Sequence, residues 1–177
     1  MPELAVTAIG RDRPGIVASV TGALLDLGGN LEDSQMSILG GHFAVMLLVA
    51  VPGGTERERV VERLSEVAQE HELEAISVAE VSAQDTRPAL PSHVLTVYGA
   101  DRPGIVHAVS SRLAEAGVNI TDLETKLTGS AEAPVYVMVL EVALGGAAPE
   151  DVRAALESAG GEGGLEVSLR ELDTDPL

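Results

Sequence analysis

Two kinds of hydrophobic periodicity follow one another along this chain, and the succession occurs twice. Leu4 to Ile9 is a short apolar run of strand character. Ile16, Val20, Leu24 and Leu27 then recur at spacings of four, four and three, which lays one apolar stripe along a helix from about Pro14 to Leu27. Gly28-Gly29 ends that helix, a common use of glycine. Asn30 to Leu39 predicts a second strand, with Ser34, Met36 and Ile38 in one phase and Asp33, Gln35 and Ser37 in the other. Gly40-Gly41-His42 signals a hairpin turn. Phe43 to Val51 predicts a third strand, apolar in both phases. Pro52-Gly53-Gly54 breaks it, and Thr55-x-x-Glu58 has the form of a capping box. The helix that follows carries Val60, Leu64, Val67 and His71 on its stripe, and Glu74 to Val81 predicts a fourth strand. The order is βαββαβ.

Gln84 to Ser92 (QDTRPALPS) has two prolines and no periodicity, and reads as a linker. The order then repeats. Strands are expected at Val94 to Gly99, Asn119 to Leu127, Pro134 to Val142 and Leu165 to Leu172. Helices are expected at Pro103 to Ala116 and Pro149 to Ala159, with a turn at Thr128 to Ala133. At a shift of 89, positions 4–33 match 93–122 at 13 of 30 residues, so the repeat is a duplication rather than shared periodicity. Further on, Met46 pairs with Met138 at a shift of 92, which makes the second hairpin three residues longer. The expected organisation is two domains, 1–83 and 93–177, joined by 84–92. The expected fold class is α+β: two ferredoxin-like units, each an antiparallel sheet with helices on one face. The doubly apolar third strand implies that the other face of the first sheet meets a sister domain or a second chain.

Composition narrows the functions. Cysteine is absent, which excludes disulfides, zinc–thiolate sites and cysteine nucleophiles. Only three aromatic residues occur, Phe43, Tyr98 and Tyr136, so aliphatic side chains build the cores. The formal net charge is −17, and the eleven basic residues are scattered. Nucleic-acid binding needs phosphate neutralisation and commonly aromatic platforms. Direct nucleic-acid binding is therefore not expected, and neither is attachment to anionic lipid. No apolar run reaches the roughly 18–20 residues that span a membrane, and the N-terminus lacks a signal pattern, so a cytoplasmic location is expected. His42, His71, His93 and His107 lack ligand spacing, Ser110-Ser111 lacks a nucleophile setting, and Gly160 to Gly164 lacks the Lys-Ser/Thr of a phosphate loop. No metal, cofactor or catalytic set is expected, and the chain does not read as an enzyme.

The candidate chemistry lies in one turn used twice, GRDRPGIV at Gly10 to Val17 and GADRPGIV at Gly99 to Val106. Each joins a strand to a helix, with Pro14 and Pro103 placed for a helical first turn. Amides at a helix N-terminus carry partial positive charge and suit a carboxylate. Arg13 and Arg102 add to that charge. Asp12 and Asp101 suit an ammonium, and Asn30 and Asn119 both donate and accept. The same residues also have plain structural uses: Asp stabilises a helix dipole, Pro and Gly make turns, and Asn satisfies backbone groups at a strand start.

D-R-P-G-[IV] between the first strand and helix, then G-x-N-[LI] into the second strand, resembles the ACT domain, a regulatory module that commonly binds amino acids. Two such units in tandem resemble the glycine cleavage system transcriptional repressor group. The D-R-P-G start also resembles the regulatory front end of formyltetrahydrofolate deformylase, whose catalytic domain has no counterpart here. The resemblance implies an amino-acid effector at the turn and the start of the second strand, often across a domain or subunit interface. Carried over by position, the ligand-binding residues are Asp12, Arg13, Gly15 and Asn30, and Asp101, Arg102, Gly104 and Asn119. It further implies a homo-oligomer and a protein partner such as a transcription factor.

Overall fold

The computed structural model describes residues 3–81, 89–130, 133–158 and 165–172, and the chain divides into two compact units, Met1–Asp85 and Thr86–Leu177. In the first, β1 (Glu3–Arg11), α1 (Ile16–Asp26), β2 (Asn30–Leu39), β3 (His42–Ala50), α2 (Arg57–Glu70) and β4 (Ala75–Val81) follow in the predicted order. In the second come β5 (His93–Ala100), α3 (Ile105–Glu115), β6 (Asn119–Ser130), β7 (Ala133–Ala143), α4 (Pro149–Ser158) and β8 (Glu166–Glu171). Each unit has one four-stranded antiparallel sheet, ordered β2-β3-β1-β4 and β6-β7-β5-β8. This is the ferredoxin-like plan. Most of the linker stretch lies outside the described residues. Its last residue, Ser92, belongs to the second sheet: its N–H donates to Val142 O and its carbonyl accepts from Leu172 N–H, both at 2.9 Å.

The predicted stripes meet the predicted strand phase. Leu4, Val6 and Ala8 of β1 and Phe43, Val45, Leu47 and Val49 of β3 are buried with Ile16, Val20 and Leu24 of α1 and Val60, Leu64 and Val67 of α2. His71 does not join that core. It sits at the C-cap of α2, where Nε2 lies 2.7 Å from Ser19 Oγ. The two helices are also tied by Arg63, which donates to Asp26 at 3.1 Å. That hydrogen bond, against a smaller opposing effect of desolvation, raises the guanidinium pKa above its ordinary value.

Glycine sets the helix ends. Gly28 N–H donates to Leu25 O and Gly29 N–H to Leu24 O, and Gly117 and Val118 repeat the pair onto Ala114 and Leu113. These are Schellman ends, and they require the left-handed φ of 75° at Gly28 and 71° at Gly117. The helix starts differ from expectation. Pro14 and Pro103 lie in the turn, and α1 and α3 open at Ile16 and Ile105 behind left-handed Gly15 and Gly104. The capping box does not form either, because α2 starts at Arg57 with Glu56 as N-cap and no side-chain cap bond. Gly22 has helical geometry and open space around a built Cβ. Gly22→Ala is therefore expected to raise stability by about 0.5–1 kcal/mol, read as a higher urea midpoint.

The second hairpin corrects the repeat alignment. Val6 pairs with Leu47 in the first sheet, and its counterpart Leu95 pairs with Leu140 in the second. That is a shift of 93, not 92. β6 and β7 have 12 and 11 residues against 10 and 9 in β2 and β3. The second hairpin is thus four residues longer, and Thr128 to Ser130, expected as turn, extend β6. A one-residue slip exchanges the faces of a strand. Met138 is accordingly buried at 0% exposure, whereas Met46 faces out at 51%. Val135, Val137, Val139 and Glu141 form the open-face row, and Tyr136, Met138, Leu140 and Val142 are the true counterparts of Phe43, Val45, Leu47 and Val49.

Candidate functional site

The two D-R-P-G turns have one backbone geometry. Gly15 has φ 97° and ψ −16°, and Gly104 has φ 89° and ψ 2°. These are the angles of the third residue in a type II turn, where Pro favours the second place. Each glycine is also the helix N-cap, and its carbonyl accepts the first helical bond, from Ser19 N–H or Ala108 N–H at 2.9 Å. Neither helix has a side-chain cap bond. Asp12 and Asp101 therefore make no cap hydrogen bond, and their structural use is limited to the field of the helix dipole. The first-turn amides lack intrahelical partners and carry the positive end of the helix dipole. Asp12, Arg13, Gly15, Asp101, Arg102 and Gly104 are all exposed.

In the first domain two chain segments converge on the turn. Asp12 N–H donates to Gly41 O at 3.0 Å, which ties the turn to the β2–β3 hairpin. Gly40 and Gly41 have φ 59° and 81°, the paired positive values of a type I′ hairpin turn. Arg13 forms an ion pair with Glu72 in the α2–β4 connection. Glu72 has φ 52°, the one non-glycine residue at positive φ among those described. Glu74 N–H donates to Ile9 O at 2.9 Å, and Glu74 Oε1 lies 3.6 Å from His42 Nδ1. His71 Cε1 is 3.7 Å from where a Cβ on Gly15 would stand. His71, Glu72 and Glu74 were not among the expected site residues. Only the place of His71 at the end of the α2 stripe hinted at them. Arg102 also has an interaction partner, and the connection equivalent to the α2–β4 one falls at 159–164, outside the described residues.

Asn30 and Asn119 are not brought to the turns of their own domains. Asn30 pairs with Ala50, which pairs with Glu3 at the start of β1, whereas the D-R-P-G turn follows Arg11 at its end. At about 3.4 Å per residue the two sites are roughly 27 Å apart along the strands. Asn119 lies likewise beside Ala143, away from Ala100. The reason is topological. A helix crossing over the sheet returns the chain to the end where the first strand began. Neither domain by itself unites its turn with its Asn. Each Asn is followed by a β-bulge, at Leu31/Asp33 and at Ile120/Asp122. Bulges commonly re-aim side chains beside functional sites. Asp33 there lines a shallow depression of about 230 Å³ with Gln35, Met46 and Leu48. A neighbouring depression of about 270 Å³ is lined by Thr7, Ile9, Ser37 and Ala44 among others. Asp33 and Asp122 were visible as identities of the repeat, but the bulge that places them was not.

Family models described as ACT domain match residues 3–78 and 93–161. The chain belongs to the ACT-domain family. Among similar proteins, the glycine cleavage system transcriptional repressor of Escherichia coli is 29% identical over 124 residues, 70% of this chain and 64% of that protein. This chain thus aligns with just under two thirds of the repressor's length. A UPF0237 protein of Methanopyrus kandleri is 38% identical over 80 residues, covering 45% of this chain and 87% of its own. A crystal structure of an unknown protein from Galdieria sulphuraria superposes with a TM-score of 0.78 at 30% identity, covering 97% of this chain and 98% of the other. Among the described residues of the two ACT domains, no three His, Cys, Asp or Glu side chains are placed to hold a metal, and no helix is long and apolar enough to cross a membrane.

Proposed function

We propose that this tandem ACT protein is an amino-acid-responsive regulator that acts through protein contacts. The observation that carries the reading is the turn itself. Twice, an exposed Asp-Arg pair precedes a helix whose first amides have no side-chain cap. That combination presents donors and positive charge to a carboxylate, and a carboxylate to an ammonium, in one turn of chain. The relation to a glycine cleavage system transcriptional repressor favours glycine or serine as effector and a transcriptional role in amino-acid metabolism. With a net charge of −17, such a role runs through a DNA-binding partner rather than direct contact with DNA. In this reading a second copy of the chain brings its Asn-bearing strand start to the turn and encloses the effector, which makes association part of binding. About 1.5 kcal/mol per heavy atom is the limit for very small ligands, so glycine binds no tighter than roughly micromolar.

A thermal-shift panel of the twenty amino acids tests the proposal. A Tm rise with glycine or serine is expected, and it is lost in the Asn30→Ala/Asn119→Ala double variant. A flat panel with self-association intact would support a second reading, an ACT protein that only associates. Two observations favour that alternative: Arg13 is already held by Glu72, and Ile9 and Met46, 44% and 51% exposed, leave an apolar open face on the first sheet.

A further inference from the structure

The two domains build the junction between their helices differently. Their second helices open at equivalent residues, Arg57 and Pro149, and bury equivalent side chains, Val60 and Leu64 in one, Val152 and Leu156 in the other. Arg59 therefore corresponds to Asp151, and Arg63 to Ala155. The shared turn motif equates Asp26 with Glu115 at the last position of the first helix.

In the first domain an arginine fills this junction. Arg63 Nη2 donates to Asp26 at 3.1 Å and Nη1 to Glu66 at 3.0 Å, a fork spread across two carboxylates. The groove left beside it measures about 280 Å³. In the second domain the corresponding groove measures about 440 Å³. Ala155 has replaced the arginine, and Asp151 has replaced a second cation by an anion. Half-buried Ala116, Ala147, Ala148 and Ala155 line the groove, together with Glu115 and Asp151. Arg112 also lines it and donates to Glu115 Oε2 at 2.8 Å. That leaves Glu115 Oε1 and the Asp151 carboxylate for another donor. The carbonyls of Arg112, Leu113 and Ala114 in the last turn of α3 already accept backbone N–H groups, so the attraction for a cation comes from the two carboxylates.

We propose that the α3–α4 junction of the second domain is a slot for an arginine side chain presented by a partner protein. The first domain supplies part of the template: Arg63, the counterpart of Ala155, reaches Asp26, the counterpart of Glu115, whereas the second carboxylate of the slot, Asp151, is particular to the second domain. A guanidinium suits two separated carboxylates better than an ammonium, because its donors are fixed in a planar fork. The alanines suit the aliphatic stem. The net charge of −17 steers a basic partner towards the chain. This slot is separate from the D-R-P-G turns and does not depend on an amino-acid effector.

The test is a titration of the full chain with N-acetyl-arginine amide, followed by backbone amide NMR. Saturable shifts are expected at Ala116, Ala147, Ala148, Asp151 and Ala155. N-acetyl-citrulline amide, the uncharged isostere, should bind at least about tenfold more weakly, because charge-assisted bonds are roughly twice as strong as neutral ones. Ala155→Arg should fill the slot from within and abolish the shifts, and Asp151→Asn should weaken them several-fold without changing the fold. Absence of saturable shifts in this groove, or equal binding by the citrulline probe or by Ala155→Arg, would overturn the proposal. Tighter binding of free L-arginine than of the blocked residue would assign the slot to a small molecule and overturn the partner.

Discussion

Met138→Ala is expected to lower stability by about 2–5 kcal/mol, and Met46→Ala by well under 1 kcal/mol. The two methionines align in the repeat within one residue of register, yet they lie on opposite faces. Met138 is 0% exposed in the core made by Leu95, Leu113 and Leu156. Truncation there removes buried methylenes and leaves a cavity, and both losses count. Met46 is 51% exposed on the open face of the first sheet. Its truncation removes surface that is already half in water. Urea midpoints at constant m-value measure both. Equal losses, or a larger loss at Met46, would show that β7 pairs one residue out of the described register.

Gly15→Ala and Gly104→Ala are each expected to cost about 1–2 kcal/mol, the penalty for an L-residue in the left-handed region. Space is not the cause. A Cβ on Gly104 meets nothing within 4 Å, and on Gly15 only His71 Cε1 at 3.7 Å. The penalty comes from φ values of 97° and 89°. Asn at either position should recover part of the loss, because it tolerates this conformation best among side-chain-bearing residues. The sites are in separate domains, so the double Ala variant should lose about the sum. If the turns bind an effector, both variants should also weaken the thermal shift, since a displaced glycine moves the helix amides behind it. A Gly15→Ala protein as stable as the parent would mean that the turn relaxes to an ordinary conformation.

The duplication, the βαββαβ order and the core stripes were legible in the residues alone. The physical reason is that burial acts along the chain with fixed periods. Ile16, Val20 and Leu24 can share an apolar environment only on a helix, and Leu4, Val6 and Ala8 only on a strand. The glycine ends were equally legible, since Gly28 and Gly117 occupy positions that other residues rarely adopt. The D-R-P-G turn was found for the same local reason, although its proline proved to belong to the turn and not to the helix.

What required the tertiary structure was everything that depends on which strand lies beside which. The register of β7 depends on two residues added to each strand of the second hairpin. No local preference records that, because Val135 to Val142 is apolar in both phases over most of its length. The proximity of His71 and Glu72 to the first turn comes from the helix crossing that returns α2 to the sheet. The separation of Asp12 from Asn30 comes from the same topology. Eighteen residues apart in sequence, they sit at opposite ends of one sheet, because α1 runs back along the sheet from the end of β1 towards the end where β1 began. The sequence by itself determined where the D-R-P-G turn lies between strand and helix, twice over. The tertiary structure decided that neither domain brings its own asparagine to that turn, and that, among the described residues, only in the first does an arginine of the second helix reach the end of the first helix.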